Sequence, residues 1–158
     1  YGVKQDYLKA KKYYEQAAEL DNSDAMFSLG FLYRNGYGVK KSYHKAKEYY
    51  EQSANLDNSH AMHSLGLLYR NGYGVKKDYI KSKEYFEKAA NLGNSKSMLS
   101  LGVMYENGEG VRRNYNIAKD YYVKAIRFGN QDANDKLRAL YDNGFLPIVQ
   151  SSNIEIHK

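Results

Sequence analysis

The string LYRNGYGVKK stands at Leu32–Lys41 and again, letter for letter, at Leu68–Lys77, 36 residues further on. Val103–Arg113, VMYENGEGVRR, keeps the frame with conservative changes, and the chain opens on Tyr1-Gly2-Val3-Lys4, the tail of one more copy. A unit this short cannot bury its apolar face alone. A fixed period of this length therefore means stacked structural repeats that share one core, and it restricts the fold before any other property does.

Composition narrows the chemistry. Of 158 residues 42% are hydrophobic, enough for a packed core, and none is cysteine, which removes disulfides, thiolate metal sites and cysteine nucleophiles together. No apolar stretch reaches the ~20 residues of a membrane span, and no signal-like start is visible. These features favour a cytoplasmic address. Because the chain opens inside a repeat, Tyr1 is not expected to be the native N-terminus, and a targeting segment could precede it. The net charge of +6 tilts the surface towards anionic partners.

Each unit holds two segments with helical periodicity. In Ser23–Arg34, residues Ala25, Leu29, Leu32 and Tyr33 share one face at 100° per residue. Asn22 offers a side-chain acceptor at its start, and Gly36 a left-handed stop at its end. The second segment is introduced by a strong N-cap in every copy, namely Asp6, Ser42, Asp78 and Asn114. Tyr43, Ala46, Tyr50, Ser53 and Ala54 then form its apolar stripe. Eight helices are expected, starting near residues 6, 23, 42, 59, 78, 95, 114 and 131. Gly30, Gly66 and Gly102 fall in mid-helix, where glycine costs up to ~1 kcal/mol against alanine. A cost incurred three times implies that another helix comes close at that point.

The frame A-M-x-x-L-G-x-x-Y-x-N-G-x-G-V followed by K-A-x-x-Y-Y-x-x-A-A resembles the Sel-one-like repeat, a helix-pair relative of the tetratricopeptide repeat. The match runs from Gly2 to Gly144. The resemblance implies an all-α solenoid, a right-handed superhelix of antiparallel helix pairs with a 36-residue period, and work as a protein-binding scaffold or adaptor. Some secreted bacterial members pin each repeat with a disulfide; a chain without cysteine is not of that kind. In this frame residues 1–144 form the array: a half-repeat 1–22, repeats 23–58, 59–94 and 95–130, and a terminal helix 131–144. Arg138 replaces the mid-helix glycine there, so the array should stop. Residues 145–158 form a tail, of which 145–149 are expected to pack on the last helix.

Repeats supply rows of like residues, whereas catalysis needs unlike residues that converge, so the chain does not read as an enzyme. His60 and His63 could share a metal, but no third ligand is evident, and neither a metal nor a cofactor is expected. The loop glycines serve the turn rather than a phosphate. Of the 18 tyrosines, Tyr7, Tyr43, Tyr79 and Tyr115 and likewise Tyr33, Tyr69, Tyr105 and Tyr141 fall on the packed stripes, and they read as core rather than as stacking platforms for nucleic acid. Lys40-Lys41, Lys76-Lys77 and Arg112-Arg113 align along one edge. They are read as a solvated edge before they are read as a grip on nucleic acid or an anionic surface.

A stripe opposite the core face is more telling. Positions 24, 27, 31 and 34 of the first helix and their equivalents line the concave groove in the geometry the resemblance implies. They carry Phe27 and Phe31, then His63 and Leu67, then Leu99 and Val103, flanked by Arg34, Arg70 and Glu106. The leading expectation is a monomeric, non-enzymatic scaffold. It binds a protein or peptide segment on those residues, with Arg34 and Arg70 pairing acidic groups of the partner. Nucleic acid is disfavoured, and the alternatives are a binder that uses the basic edge or a passive spacer fused to another domain.

Overall fold

A computed structural model describes residues 2–147. Among them eight helices follow one another with no strand: α1 (Gly2–Ala18), α2 (Ser23–Asn35), α3 (Tyr43–Asn55), α4 (Ser59–Asn71), α5 (Tyr79–Asn91), α6 (Ser95–Asn107), α7 (Tyr115–Arg127) and α8 (Asp132–Asp142). The fold is an all-α repeat solenoid in which each helix packs on its chain neighbours, most extensively in the pairs α2–α3, α4–α5 and α6–α7.

Local chemistry sets the helix ends. Ser42, Asp78 and Asn114 each accept a hydrogen bond from the amide three residues on (Lys45, Lys81 and Ile117). The backbone amides of these caps in turn donate to the carbonyls of Tyr33, Tyr69 and Tyr105, 2.9 Å away, which fastens each loop to the helix before it. Asp6 behaves differently. It was expected to start the first helix, yet α1 begins at Gly2 and Asp6 lies within it, exposed. No proline interrupts residues 2–5, so the turn before Asp6 is helical and its side chain is not placed as a cap.

The mid-helix glycines have a definite cause. A Cβ on Gly30 would stand 2.6 Å from the Tyr50 ring, and one on Gly66 would stand 2.5 Å from the Phe86 ring; Tyr122 lies on Gly102 in the same way. What comes close is therefore an aromatic side chain of the paired helix, fully buried in all three repeats, rather than a second backbone alone. Residue 82, small in every copy, adds a polar tie: Ser82 Oγ donates to the Gly66 carbonyl at 2.9 Å.

Repeats are joined by a second set of contacts. Asn58 Oδ1 accepts from the amides of His60 and Ala61, while its Nδ2 donates to Asp24 Oδ1 of the previous repeat at 2.8 Å. Asn94 and Asn130 likewise send Nδ2 back to the carbonyls of Ser59 and Ser95. Asn58 and Asn94 thus each start a helix and close a seam, whereas Asn130 makes the seam bond only. The loop glycines contribute as well. A Cβ on Gly74 would meet Tyr43 Cβ at 2.5 Å, so this glycine admits the neighbouring repeat in addition to serving its turn.

The tyrosines at 7, 43 and 115 are half-buried at these seams rather than in the central core. Each stacks on a ring of the following loop: Tyr7 on Tyr37 (4.9 Å between centroids), Tyr43 on Tyr73 (5.1 Å) and Tyr115 on Phe145 (4.5 Å). After α8 the chain turns at Gly144, places Phe145 in that stacking register, and buries Leu146 against the cluster of Tyr122, Ala133 and Leu140. Arg138 is exposed on α8. Residues 148 and 149, the rest of the apolar run, lie outside the described residues.

Candidate functional site

The structure divides the stripe residues into two groups. His63 and Leu67 are half-buried against the cluster that contains Phe86, and Leu99 and Val103 against the one that contains Tyr122. The His63 ring lies 5.3 Å from that of Phe86, and its Nδ1 is 2.9 Å from Ser97 Oγ of the next repeat. Burial pushes its pKa down to about 4, with the Lys96 charge acting in the same direction, so the ring is neutral at pH 7. Phe27 packs between Tyr50 (5.7 Å) and His60 of the next repeat (5.9 Å). Among the described residues no cluster of three or more His, Asp or Glu side chains could hold a metal.

Phe31 stands apart. It is 43% exposed and touches only one ring closely, that of Tyr37 at 5.9 Å. Together with Phe27 it borders a cavity of about 330 Å³ between α1 and α2, whose other walls are Tyr7, Ala10, Tyr14, Ser28 and Leu32. Apart from the hydroxyls of Tyr7, Tyr14 and Ser28, this lining is apolar.

The flanking charges also separate. Arg70, expected to pair with a partner, is bound within the chain: its Nε and Nη2 lie 2.7 and 3.0 Å from the two carboxylate oxygens of Glu109, a bidentate bridge across the seam. The guanidinium holds the Glu109 carboxyl below the usual carboxylate range. Glu106 is also committed, as the acceptor for the Tyr122 hydroxyl. Arg34 has no acidic partner among the described residues. These pairings could have been read from the sequence, because the loop position filled by Tyr37 and Tyr73 becomes Glu109 in the third copy, one repeat beyond Arg70.

On the basic edge, Lys40, Lys76 and Arg112 are exposed, but the second residue of each pair lies over the first tyrosine of the helix that follows. Lys41 is 4.8 Å from the Tyr43 centroid, Lys77 5.1 Å from that of Tyr79, and Arg113 5.6 Å from that of Tyr115. Half of the edge therefore serves the loop. Broad hollows of about 490 and 560 Å³ open beside the first and third of these loops.

Stacked helix pairs tied by repeated seams define a helical-repeat protein. The Sel1 repeat model matches residues 1–22, 23–58, 59–94 and 95–130, and the chain belongs to the Sel1 repeat family. It is similar to a Sel1 repeat protein from Oxalobacter formigenes of known crystal structure, at 32% identity and a TM-score of 0.81, over 86% of this chain and 56% of that one. It is also similar to c5321, a protective antigen of uropathogenic Escherichia coli strains with the same fold, at 30% identity and a TM-score of 0.79, over 84% of this chain and 29% of that one. The Helicobacter pylori cysteine-rich protein B is matched over 85% of this chain and 97% of its own, at 33% identity and a TM-score of 0.67. No curated protein matches. The chain spans about half of the first of these proteins and under a third of the second. Proteins of this family are in general non-catalytic scaffolds for protein interaction. No helix among the described residues is long and apolar enough to cross a membrane.

Proposed function

We propose that this chain is a non-enzymatic scaffold that receives a short protein segment along the stripe Phe27, Phe31, His63, Leu67, Leu99 and Val103. The observation that supports this reading is the row of apolar side chains at equivalent positions of three successive repeats, of which Phe31 is 43% exposed. A partly exposed aromatic side chain within such a row is a natural anchor point, because a ligand that covers it removes apolar surface from water. Each side chain fully buried contributes roughly 1.5–3 kcal/mol. With three or four such contacts, less the cost of association, binding is of about micromolar strength. His63, Leu67, Leu99 and Val103 contribute smaller increments because they are half-buried already. The basic edge supports binding less well, since Lys41, Lys77 and Arg113 are held on tyrosine rings. The cysteine-free sequence suits a monomeric module in a reducing, cytoplasmic setting.

The test is selection from a random peptide display library on the immobilised protein, with the double variant Phe31→Ser, Leu67→Ser as the counter-target. Enriched peptides should bind the wild type and not the double variant, whose melting should stay close to wild type. Enrichment that is indifferent to these two changes would rule the stripe out.

A further inference from the structure

Three equivalent positions recur around the stripe, and each repeat fills them differently. The first helix carries Arg34, Arg70 and Glu106; the second carries Tyr50, Phe86 and Tyr122; the following loop carries Tyr73, Glu109 and Phe145. In the third repeat Tyr122 donates its hydroxyl to the Glu106 carboxylate, so donor and acceptor are matched inside the repeat. In the second repeat Phe86 has no hydroxyl, and Arg70 takes the Glu109 carboxylate in a bidentate bridge. Both of these sites contain one carboxylate.

The first repeat contains none. Arg34 takes the place of Glu106, and Tyr73 takes the place of Glu109 and stacks instead on Tyr43. Tyr50 retains the hydroxyl, fully buried, and its Oη has no hydrogen-bond partner. Arg34 and Ser64 are the polar groups beside that hydroxyl, and both act against the rise in its pKa that burial causes. The two hydroxyls can accept as well as donate, but none of the three groups supplies a negative charge to pair with Arg34. An unpaired buried donor is costly, and a carboxylate is the group that satisfies a phenol and a guanidinium together.

We infer that the first repeat takes its missing carboxylate from the partner, through an Asp or Glu side chain that docks on Arg34 with the Tyr50 hydroxyl behind it. This rests on the proposed use of the stripe and adds the partner's chemistry. The segment carries one acidic residue at a fixed spacing from an apolar pair that covers Phe31 and Leu67. The second and third repeats accept no acidic group because theirs are filled from within the chain. The net charge of +6 favours the approach of such a segment.

The probes are peptides enriched from the display library on the wild-type protein, on Arg34→Glu and on Arg34→Gln. Arg34→Glu recreates the Tyr122–Glu106 arrangement of the third repeat, so it should fold; Arg34→Gln removes only the charge. Peptides enriched on the wild type should share an acidic residue at constant spacing from their apolar pair. Their binding should weaken about tenfold or more on either variant, as expected for losing a charge-assisted bidentate contact. Arg70→Gln should leave binding unchanged. Enriched peptides that depend on Phe31 and Leu67 but share no acidic position, or that bind Arg34→Glu as well as wild type, would overturn the carboxylate anchor while leaving the stripe intact. Enrichment that ignores Phe31 and Leu67 would overturn both.

Discussion

Gly66→Ala isolates the contact that sets the spacing of a helix pair. In most mid-helix positions this change adds up to ~1 kcal/mol of stability, because alanine has the higher helix propensity. Here the added Cβ would stand 2.5 Å from two carbons of the Phe86 ring, where ordinary contact begins at 3.4 Å. The ring must retreat by about 0.9 Å (3.4 − 2.5). It has little room to do so, being fully buried among Leu101 and Met104. Overpacking of this kind costs ~1–3 kcal/mol, so the net effect should be a loss of up to ~2 kcal/mol. Phe86→Leu removes the offending atoms at its own cost, and in that background Gly66→Ala should become neutral or stabilising. The coupling between the two sites should then be ~1–3 kcal/mol. Urea unfolding of the four proteins at one temperature gives the cycle, provided that their m-values agree. If Gly66→Ala stabilises both backgrounds equally, the ring does not press on Gly66 and the explanation of the repeated glycine fails.

Three further outcomes are expected. Below pH 6.5 the unfolded chain takes up a proton at His63 that the folded chain refuses until about pH 4, so stability that is full above pH 6.5 should decline through that window. His63→Gln should flatten the decline in thermal melts recorded against pH, and an unchanged slope would refute the burial of a neutral ring. The depressed Glu109 pKa contributes stability above its ordinary value of 4.5, lost as the pH falls further; Glu109→Gln should be less stable than wild type at pH 7 and differ less from it in acid, when both are followed by denaturant unfolding. Leu146→Ala should cost about 2 kcal/mol, the low end for a buried leucine because it lies at the end of the array, and equal melting of the two proteins would show that Leu146 covers nothing of consequence.

Most of the architecture could be read from the sequence because the determinants are local and occur several times. A helix cap at Ser42, Asp78 and Asn114 needs only a short polar side chain at a fixed offset, and the period repeats the observation. The start of α1 was misread because Asp6 has the right side chain for a cap but follows residues 2–5, which take up helix themselves. The stripe was visible as a row of apolar residues, but its division into half-buried and exposed members depends on neighbours a whole repeat away. Phe31 and Leu67 look equivalent in the sequence; only packing leaves Phe31 exposed and draws Leu67 against Phe86. Charge was least legible. Arg34 and Arg70 occupy identical contexts over ten residues, yet the difference in their surroundings is set 39 residues downstream, by Tyr73 in one case and Glu109 in the other.

The asparagines at 58, 94 and 130 bear on how such a chain can change its length over evolutionary time. Each one donates its Nδ2 across the join to the preceding unit, and Asn58 and Asn94 also cap the helix that starts there. Recombination that removes or duplicates a block of 36 residues between two of these positions returns every clasp to an equivalent partner. A block of any other size leaves an asparagine opposite the wrong turn of helix and shifts the seam tyrosines out of step with their loops. Copy number can therefore drift in whole units with little penalty, while slippage by a few codons within a unit is selected against. The identical strings at Leu32–Lys41 and Leu68–Lys77 are what duplication of one such block would leave behind.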